Sequence, residues 1–338
     1  MRVASKPNQT INNQMSLQSL INLTQHDMKR VNQLILSMAK SEVEMIPEIL
    51  NYLISSGGKR LRPMITLASA HMFDYQSDGH IKLATAVEFM HTATLLHDDV
   101  IDESNLRRGK STARMIWGNQ ASVLVGDFLL GQAFKIMVDV GSIEALSILA
   151  KAAAIIAEGE VMQLSAAKNT ETSTSDYLKI INAKTAALFS AAAEVGPVIA
   201  GYGDKERSAL REYGTLLGVA FQLIDDALDY GGSAKHFGKN IGDDFREGKI
   251  TMPVILAYAR SNTVEKAFWK QALENGNNNN EAFAHAQYLI EKYDSLTDTI
   301  EQARLYGTRA IDALAHINKS PAHNALVETV DFCIARVN

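Results

Sequence analysis

The stretch HTATLLHDDVIDESNLRRG, His91 to Gly109, decides how this chain is read. An apolar run ends in Asp98, Asp99 and Asp102, and two arginines, Arg107 and Arg108, follow within ten residues. On a helix each residue turns the chain by about 100°, so Asp98 and Asp102 point about 40° apart and stand about 6 Å apart along the axis. Asp99 lies to one side, and His91 falls about 20° from the Asp98 direction, two turns back. One helical face therefore carries an imidazole and two carboxylates in line. Acids at i and i+4 repel and weaken a helix. A divalent cation would offset this. Carboxylate oxygens suit Mg2+, which keeps several waters and binds through one or two carboxylates together with substrate phosphates. A solvated acidic helix end would account equally well for one such motif.

A second motif, FQLIDDALDYGG from Phe221 to Gly232, repeats the spacing with Asp225, Asp226 and Asp229. At ordinary aspartate usage a chain of this length carries about 0.07 such triads by chance, so coincidence does not explain two. Both follow apolar helical runs. If the two helices face each other across a cavity, the clusters form one site for several Mg2+ ions and a polyanion.

The rest of the chain limits the possibilities. It has 338 residues, 46% hydrophobic, with six prolines and a formal net charge of −5. A net negative chain is not a nucleic-acid binder held by bulk electrostatics. Cys333, the single cysteine, reads as a small core residue and fits a reducing cytoplasm. The start lacks a basic-then-apolar signal segment. The longest apolar candidate for a membrane span, from Ala186, is interrupted by Glu194 and Pro197 and reads as a buried core helix. Helical periodicity dominates and strand alternation is nearly absent. The spacing predicts helices over 27–55, 63–76, 80–104, 111–138, 143–168, 174–200, 206–231 and 250–260, then four shorter ones to about 337. Residues 1–25 read as a polar, frayed N-terminus. Residues 26–338 read as one all-α domain, a helical bundle around a deep central cavity.

Basic residues cluster near the acids. GGKRLRP, Gly57 to Pro63, brings Lys59, Arg60 and Arg62 to a loop–helix junction, where glycines and a helix start favour an anion. KHFGKNIGDDFREGKITMP, from Lys235, adds Lys239 and Lys249 with the pair Asp243 and Asp244. Lys184 and Thr185 interrupt an apolar helix. Taken one at a time, solvated loops and a lysine reaching out to water explain these residues as well. Together they call for a ligand with diphosphate at one end and hydrocarbon at the other.

Taken in order, GGKRLRP, HTATLLHDDVIDESNLRRG, FQLIDD and GKNIGDDFREGK resemble the trans-isoprenyl (polyprenyl) diphosphate synthases, with the long-chain, octaprenyl/decaprenyl-type branch nearest. The resemblance covers nearly the whole chain after residue 25. It implies the isoprenoid synthase-type fold, a homodimer, and Mg2+-dependent head-to-tail condensation of an allylic diphosphate with isopentenyl diphosphate, for the ubiquinone side chain. It implies three Mg2+ ions with substrate bound, held by Asp98, Asp102 and Asp225, with Asp99, Asp226 and Asp229 in support. It assigns Arg107 and Lys184 to the allylic diphosphate, with Lys239 and Lys249 neutralising it. Lys59, Arg62, His91 and Arg108 fall to isopentenyl diphosphate. Thr185 and Gln222 would direct oxygen dipoles at the developing carbocation. No transmembrane segment is implied, and product release would involve transient membrane contact.

Product length is left open. Short-product members of that family tend to place an aromatic residue four or five positions before the first acid. Here those positions hold Thr94 and Ala93, both small. The helical wheel points Thr94 toward the cavity and Ala93 away from it, and Phe89 would form a deeper floor. Ala93→Tyr or Thr94→Phe is then expected to shorten the product. The alternatives are a farnesyl or geranylgeranyl diphosphate synthase, a terpene cyclase, and a non-catalytic partner subunit. A cyclase would have no use for GGKRLRP, and a non-catalytic subunit can lose acid clusters that this chain keeps.

Overall fold

The structure, a computed structural model, describes residues 10–55, 57–231 and 241–337. The sequence folds into α1 (Thr10–Met38), α2 (Met45–Ser55), α3 (Leu61–His71) and α4 (Gly79–Ile101). A two-residue hairpin follows, β1 (Leu106–Arg107) paired antiparallel with β2 (Lys110–Ser111). Then come α5 (Ala113–Val140), α6 (Ile143–Ala166), α7 (Thr174–Ile181), a π-helical turn at Asn182–Ala186, α8 (Ala187–Ile199) and α9 (Asp204–Gly231). The remainder is α10 (Asp243–Arg246), α11 (Met252–Arg260), α12 (Thr263–Trp269), α13 (Asn280–Lys292), α14 (Ser295–Ala313) and α15 (Pro321–Ile334), ending in a 3₁₀ turn at Ala335–Val337.

The expected helix over 27–55 is two helices broken at residues 39–44, and the first runs back to Thr10, into the stretch read as frayed. Leu20 and Thr24 on α1 are fully buried, and α1 packs on α15, α3 and α4. Burying a leucine contributes about 1.5–3 kcal/mol, which is why this end of the chain is held. Elsewhere local chemistry sets the ends as the sequence suggests. Ser173 caps α7 by accepting from the Asp176 N–H at 3.1 Å, and Asn262 and Glu265 form a reciprocal capping box on α12. Ser320 caps α15, with Pro321 in its first turn.

α4 lies along α5, and α9 lies along α8 and α14. α4 and α9, the acid-bearing helices, thus run through the middle of the bundle. Their apolar faces supply Phe89, Met90 and Leu96 to one core and Leu216, Leu217 and Tyr213 to another. The Tyr213 hydroxyl, fully buried, donates to the Leu326 carbonyl at 2.8 Å and ties α9 to α15.

Candidate active site

A cavity of about 720 Å3 opens between these helices and is lined by Asp98, Asp99 and Asp102 from α4 and by Asp225 and Asp226 from α9. Four of these five acids are countered by a cation from elsewhere in the chain. Lys184 Nζ stands 3.6 Å from Asp98 and 2.7 Å from Glu160 on α6. Lys249 Nζ is 2.7 Å from Asp102, and Arg107 is 2.8 Å from the buried Asp99. Arg336, in the last turn of the chain, is 3.0 Å from Asp225. Asp226 is buried and accepts from the Tyr177 hydroxyl and, at 2.8 Å, from Gln222 Nε2. Burial and the nearby Asp244 push its pKa well above the usual carboxylate range. Burial also raises Asp99 and Glu160, against the pull of Arg107 and Lys184 respectively. For Lys249 burial works the other way, yet Asp244, Asp102 and Glu247 together raise its pKa and keep it charged.

Lys184 and Thr185 sit in the π turn, an irregularity common at functional sites. Small residues on both sides make room for it. A Cβ on Gly159 of α6 would stand 2.7 Å from the Lys184 backbone nitrogen, and one on Gly218 of α9 would stand 2.6 Å from Ala186 Cα. Gly159→Ala is expected to cost about 1–3 kcal/mol by overpacking and to lower turnover by displacing Lys184, measured by thermal unfolding and kcat. Thr185 Oγ1 donates to Gln222 Oε1 at 2.8 Å. Since Gln222 Nε2 is engaged by Asp226, this chain of bonds fixes the amide orientation and leaves the Thr185 hydroxyl oxygen as a dipole at the cavity wall.

The opposite wall is basic. The hairpin turn places Arg108 at φ 54° and Gly109 at φ 74°, the paired positive values of a two-residue turn. Such a conformation is unfavourable for arginine, and the Arg108 guanidinium donates to the Gly57 carbonyl in the loop before α3. Arg60 pairs with the buried Glu88 at 3.0 Å. Arg62 lies over the Phe189 ring at 4.3 Å and donates to His91 Nε2 at 3.4 Å. Burial, with Arg62, Arg108, Arg107 and Arg60 around it, pushes the His91 pKa well below its ordinary value, so its ring is neutral.

Burial lowers the Lys59 pKa to about 8, Arg336 adding to the effect. The folded-state value is depressed, so the burden of burying a charged lysine is present below pH 8 and relieved as pH rises from there toward the unfolded value. Binding of an anion at Lys59 runs the other way. It is expected to weaken as pH climbs through about 8, seen as a rising Kd for inorganic diphosphate, and Lys59→Arg should move that rise to higher pH.

Most of the residues singled out in the sequence line this cavity, namely Asp98, Asp99, Asp102, Arg107, Arg108, Lys59, Arg62, His91, Lys184, Thr185, Gln222, Asp225, Asp226 and Lys249. Asp229 does not. It is buried, and its carboxylate accepts from the Asp244 N–H at 3.0 Å, holding the start of α10. Thr94 and Phe89 line the cavity. Ala93 is fully buried in the helix core instead, which follows from its place on the far side of α4. Lys239 lies outside the described residues. Asp244, of the acidic pair noted in the sequence, also lines the cavity, and the structure adds Glu160, Gln163, Tyr177, Glu88 and Arg336. Glu160 and Gln163 are three apart on α6 and share a face, a signal the sequence did carry. Arg336 gave none, being brought in by the docking of α15.

The donor set is hard carboxylate oxygen, which suits Mg2+ or Ca2+ and not a thiophilic metal. Glu160 Oε1 and Gln163 Oε1, buried beside it, have no hydrogen-bond partner, as expected where bound water or an ion would complete the site. Acids on two central helices, a basic wall facing them and an apolar depth suit a diphosphate carried on a hydrocarbon chain. The chain belongs to the polyprenyl synthetase family, whose model matches residues 43–290, and it is a prenyltransferase. It is 40% identical to the octaprenyl diphosphate synthase of Escherichia coli (strain K12), over 95% of this chain and 99% of that protein. The crystal structure of a decaprenyl diphosphate synthase from Rhodobacter capsulatus superposes with a TM-score of 0.91 at 47% identity, covering 95% and 99% of the two chains. That of a polyprenyl synthase from Caulobacter crescentus CB15, complexed with calcium and isoprenyl diphosphate, gives 0.92 at 49% identity, covering 95% and 98%.

Proposed function

We propose that this chain is a long-chain polyprenyl diphosphate synthase, extending an allylic diphosphate by successive head-to-tail addition of isopentenyl diphosphate for the ubiquinone side chain. The observation that carries the reading is the meeting of two acid clusters and a basic wall on one cavity whose lining at Thr94 is small. Similarity to octaprenyl and decaprenyl diphosphate synthases over nearly the full length supports the long product.

In this reading Asp98, Asp102 and Asp225 hold Mg2+, three ions with substrate bound, while Asp99 and Asp226 shape the clusters through Arg107, Tyr177 and Gln222. Mg2+ held there would stabilise the pyrophosphate charge that develops as the allylic C–O bond breaks. Arg107, Lys184 and Lys249 bind the allylic diphosphate, with Lys239 in the same role. Lys59, Arg62 and Arg108 grip isopentenyl diphosphate, and neutral His91 accepts from Arg62 and orients it. Thr185 and Gln222 turn oxygen dipoles toward the cation, and the apolar depth excludes water that would quench it. The isopentenyl double bond attacks, a proton is lost from the adduct, and the released pyrophosphate accepts it.

The assembly proposed is a homodimer. One helix among the described residues, α5, is long and apolar enough to cross a membrane by length and composition, and 44% of its most apolar window is buried. Past the non-helical Gly118 its outer face exposes Val123, Leu124, Phe134 and Val138 at helical spacing, a stripe suited to a second copy. The proposed compartment is the cytoplasm, with transient membrane contact as the product leaves. The deciding experiment supplies purified chain, Mg2+, farnesyl diphosphate and labelled isopentenyl diphosphate, and measures product length. Products no longer than geranylgeranyl diphosphate would sink the long-chain reading in favour of a shorter-chain synthase.

A further inference from the structure

Away from the cavity, three ligand-type side chains meet where three helices cross. Asp27 comes from α1, His71 from the last turn of α3 and His80 from the first turn of α4. Asp27 Oδ2 lies 2.7 Å from His71 Nε2 and 3.2 Å from His80 Nε2. The three ligand atoms lie within 4.8 Å of one another, and none of these residues lines the condensation cavity. The Asp27 and His80 side chains are 10% and 6% exposed and that of His71 is 31% exposed. The cluster is thus closed on its protein side and reachable by water at His71.

We propose that Asp27, His71 and His80 form a second metal site, for a zinc-type dication, independent of the carboxylate clusters that serve condensation. Two imidazole nitrogens and one carboxylate oxygen are a donor set for Zn2+ or Co2+, and a poor one for Mg2+, which prefers oxygen throughout. Bonds of about 2.0–2.2 Å around a tetrahedral ion put its ligand atoms roughly 3.3 Å apart, so the Asp27–histidine separations of 2.7 and 3.2 Å need little opening.

His80 Nδ1 is buried without a hydrogen-bond partner, while its Nε2 faces Asp27 Oδ2 at 3.2 Å. The other neighbours of Asp27 sit on its opposite carboxylate oxygen. His26 Nδ1 is 3.4 Å and Arg30 Nη1 3.7 Å from Asp27 Oδ1, and Arg30 is also engaged by Asp78 at 2.5 Å. Oδ2 is left to the two imidazoles. A metal here clamps α1 to the helices that carry Arg62 and Asp98, so its effect is on stability and not on a reaction step.

The test uses the full chain with Mg2+ in excess, so that the acid clusters are occupied. Zn2+ is titrated while thermal unfolding is followed, and Co2+ is titrated while the visible absorption of a four-coordinate ion is recorded. Wild type and Asp98→Asn are expected to show a raised Tm with Zn2+ and the Co2+ band. His71→Ala, a half-buried position, and the shape-conserving Asp27→Asn should bind both ions at least about tenfold more weakly. If wild type shows neither response, or if both variants respond as wild type does, the cluster is a hydrogen-bonded staple and the proposal is overturned.

Discussion

Asp98→Asn is expected to lower kcat for condensation by roughly a thousandfold, the scale reached when one preorganised group that stabilises developing transition-state charge is removed. Asp98 lines the cavity and faces Lys184 at 3.6 Å, so the variant loses a negative charge from the carboxylates that would hold the Mg2+ offsetting the leaving group. The fold should not suffer. Lys184 keeps its closer partner Glu160 at 2.7 Å, and the loss relieves repulsion between Asp98 and Glu160. The measurement pairs turnover of labelled isopentenyl diphosphate with thermal unfolding. A near-normal Tm with near-normal kcat would remove Asp98 from the reaction.

Thr94→Phe is expected to shift the product to chains shorter by several isoprene units. Thr94 is on the cavity wall with its hydroxyl turned back to the His91 carbonyl at 2.8 Å, so its methyl and the space beyond face the path of a growing tail. An isoprene unit is close to a helical turn in length, roughly 5 Å. A phenyl ring one turn before Asp98 therefore blocks the tail early, while Phe89, deeper in the lining, would act only on longer chains. Ala93→Tyr is a different case. Ala93 is fully buried among core side chains, so a ring there overpacks the helix interface at about 1–3 kcal/mol. Its signature is a lowered Tm, with any change in length following from the distortion. Product chromatography and unfolding on both variants separate the two effects, and an unchanged distribution in Thr94→Phe would show that the tail takes another route.

The acid helices and their function were legible because they depend on local periodicity. Asp98 and Asp102 fall on one side of α4 by arithmetic, and the same arithmetic separated Thr94 from Ala93. What stayed hidden depends on contacts between distant segments. The break at residues 39–44 holds no glycine or proline of its own, and Pro47, in the first turn of α2 just past it, was its only sequence mark. The π turn is set by Gly159 and Gly218 pressing from two other helices. Arg107 and Arg108 were visible as basic residues, but the hairpin that aims one at Asp99 and the other at the Gly57 loop has strands of two residues, too short to show alternation. Asp229 kept the spacing of a cluster member while serving the backbone of α10, a use of the same carboxylate that spacing cannot distinguish.

In the resting protein the cations suited to diphosphate are tied to the carboxylates suited to metal, Lys184 to Asp98, Lys249 to Asp102 and Arg107 to Asp99. Either ligand arriving by itself would strand charge of one sign in a confined, weakly hydrated space. Arriving together, they exchange partners and leave the total nearly neutral. On the roles proposed for these residues, metal and substrate would be coupled in their binding, each raising the other's affinity, through pairings present before either arrives.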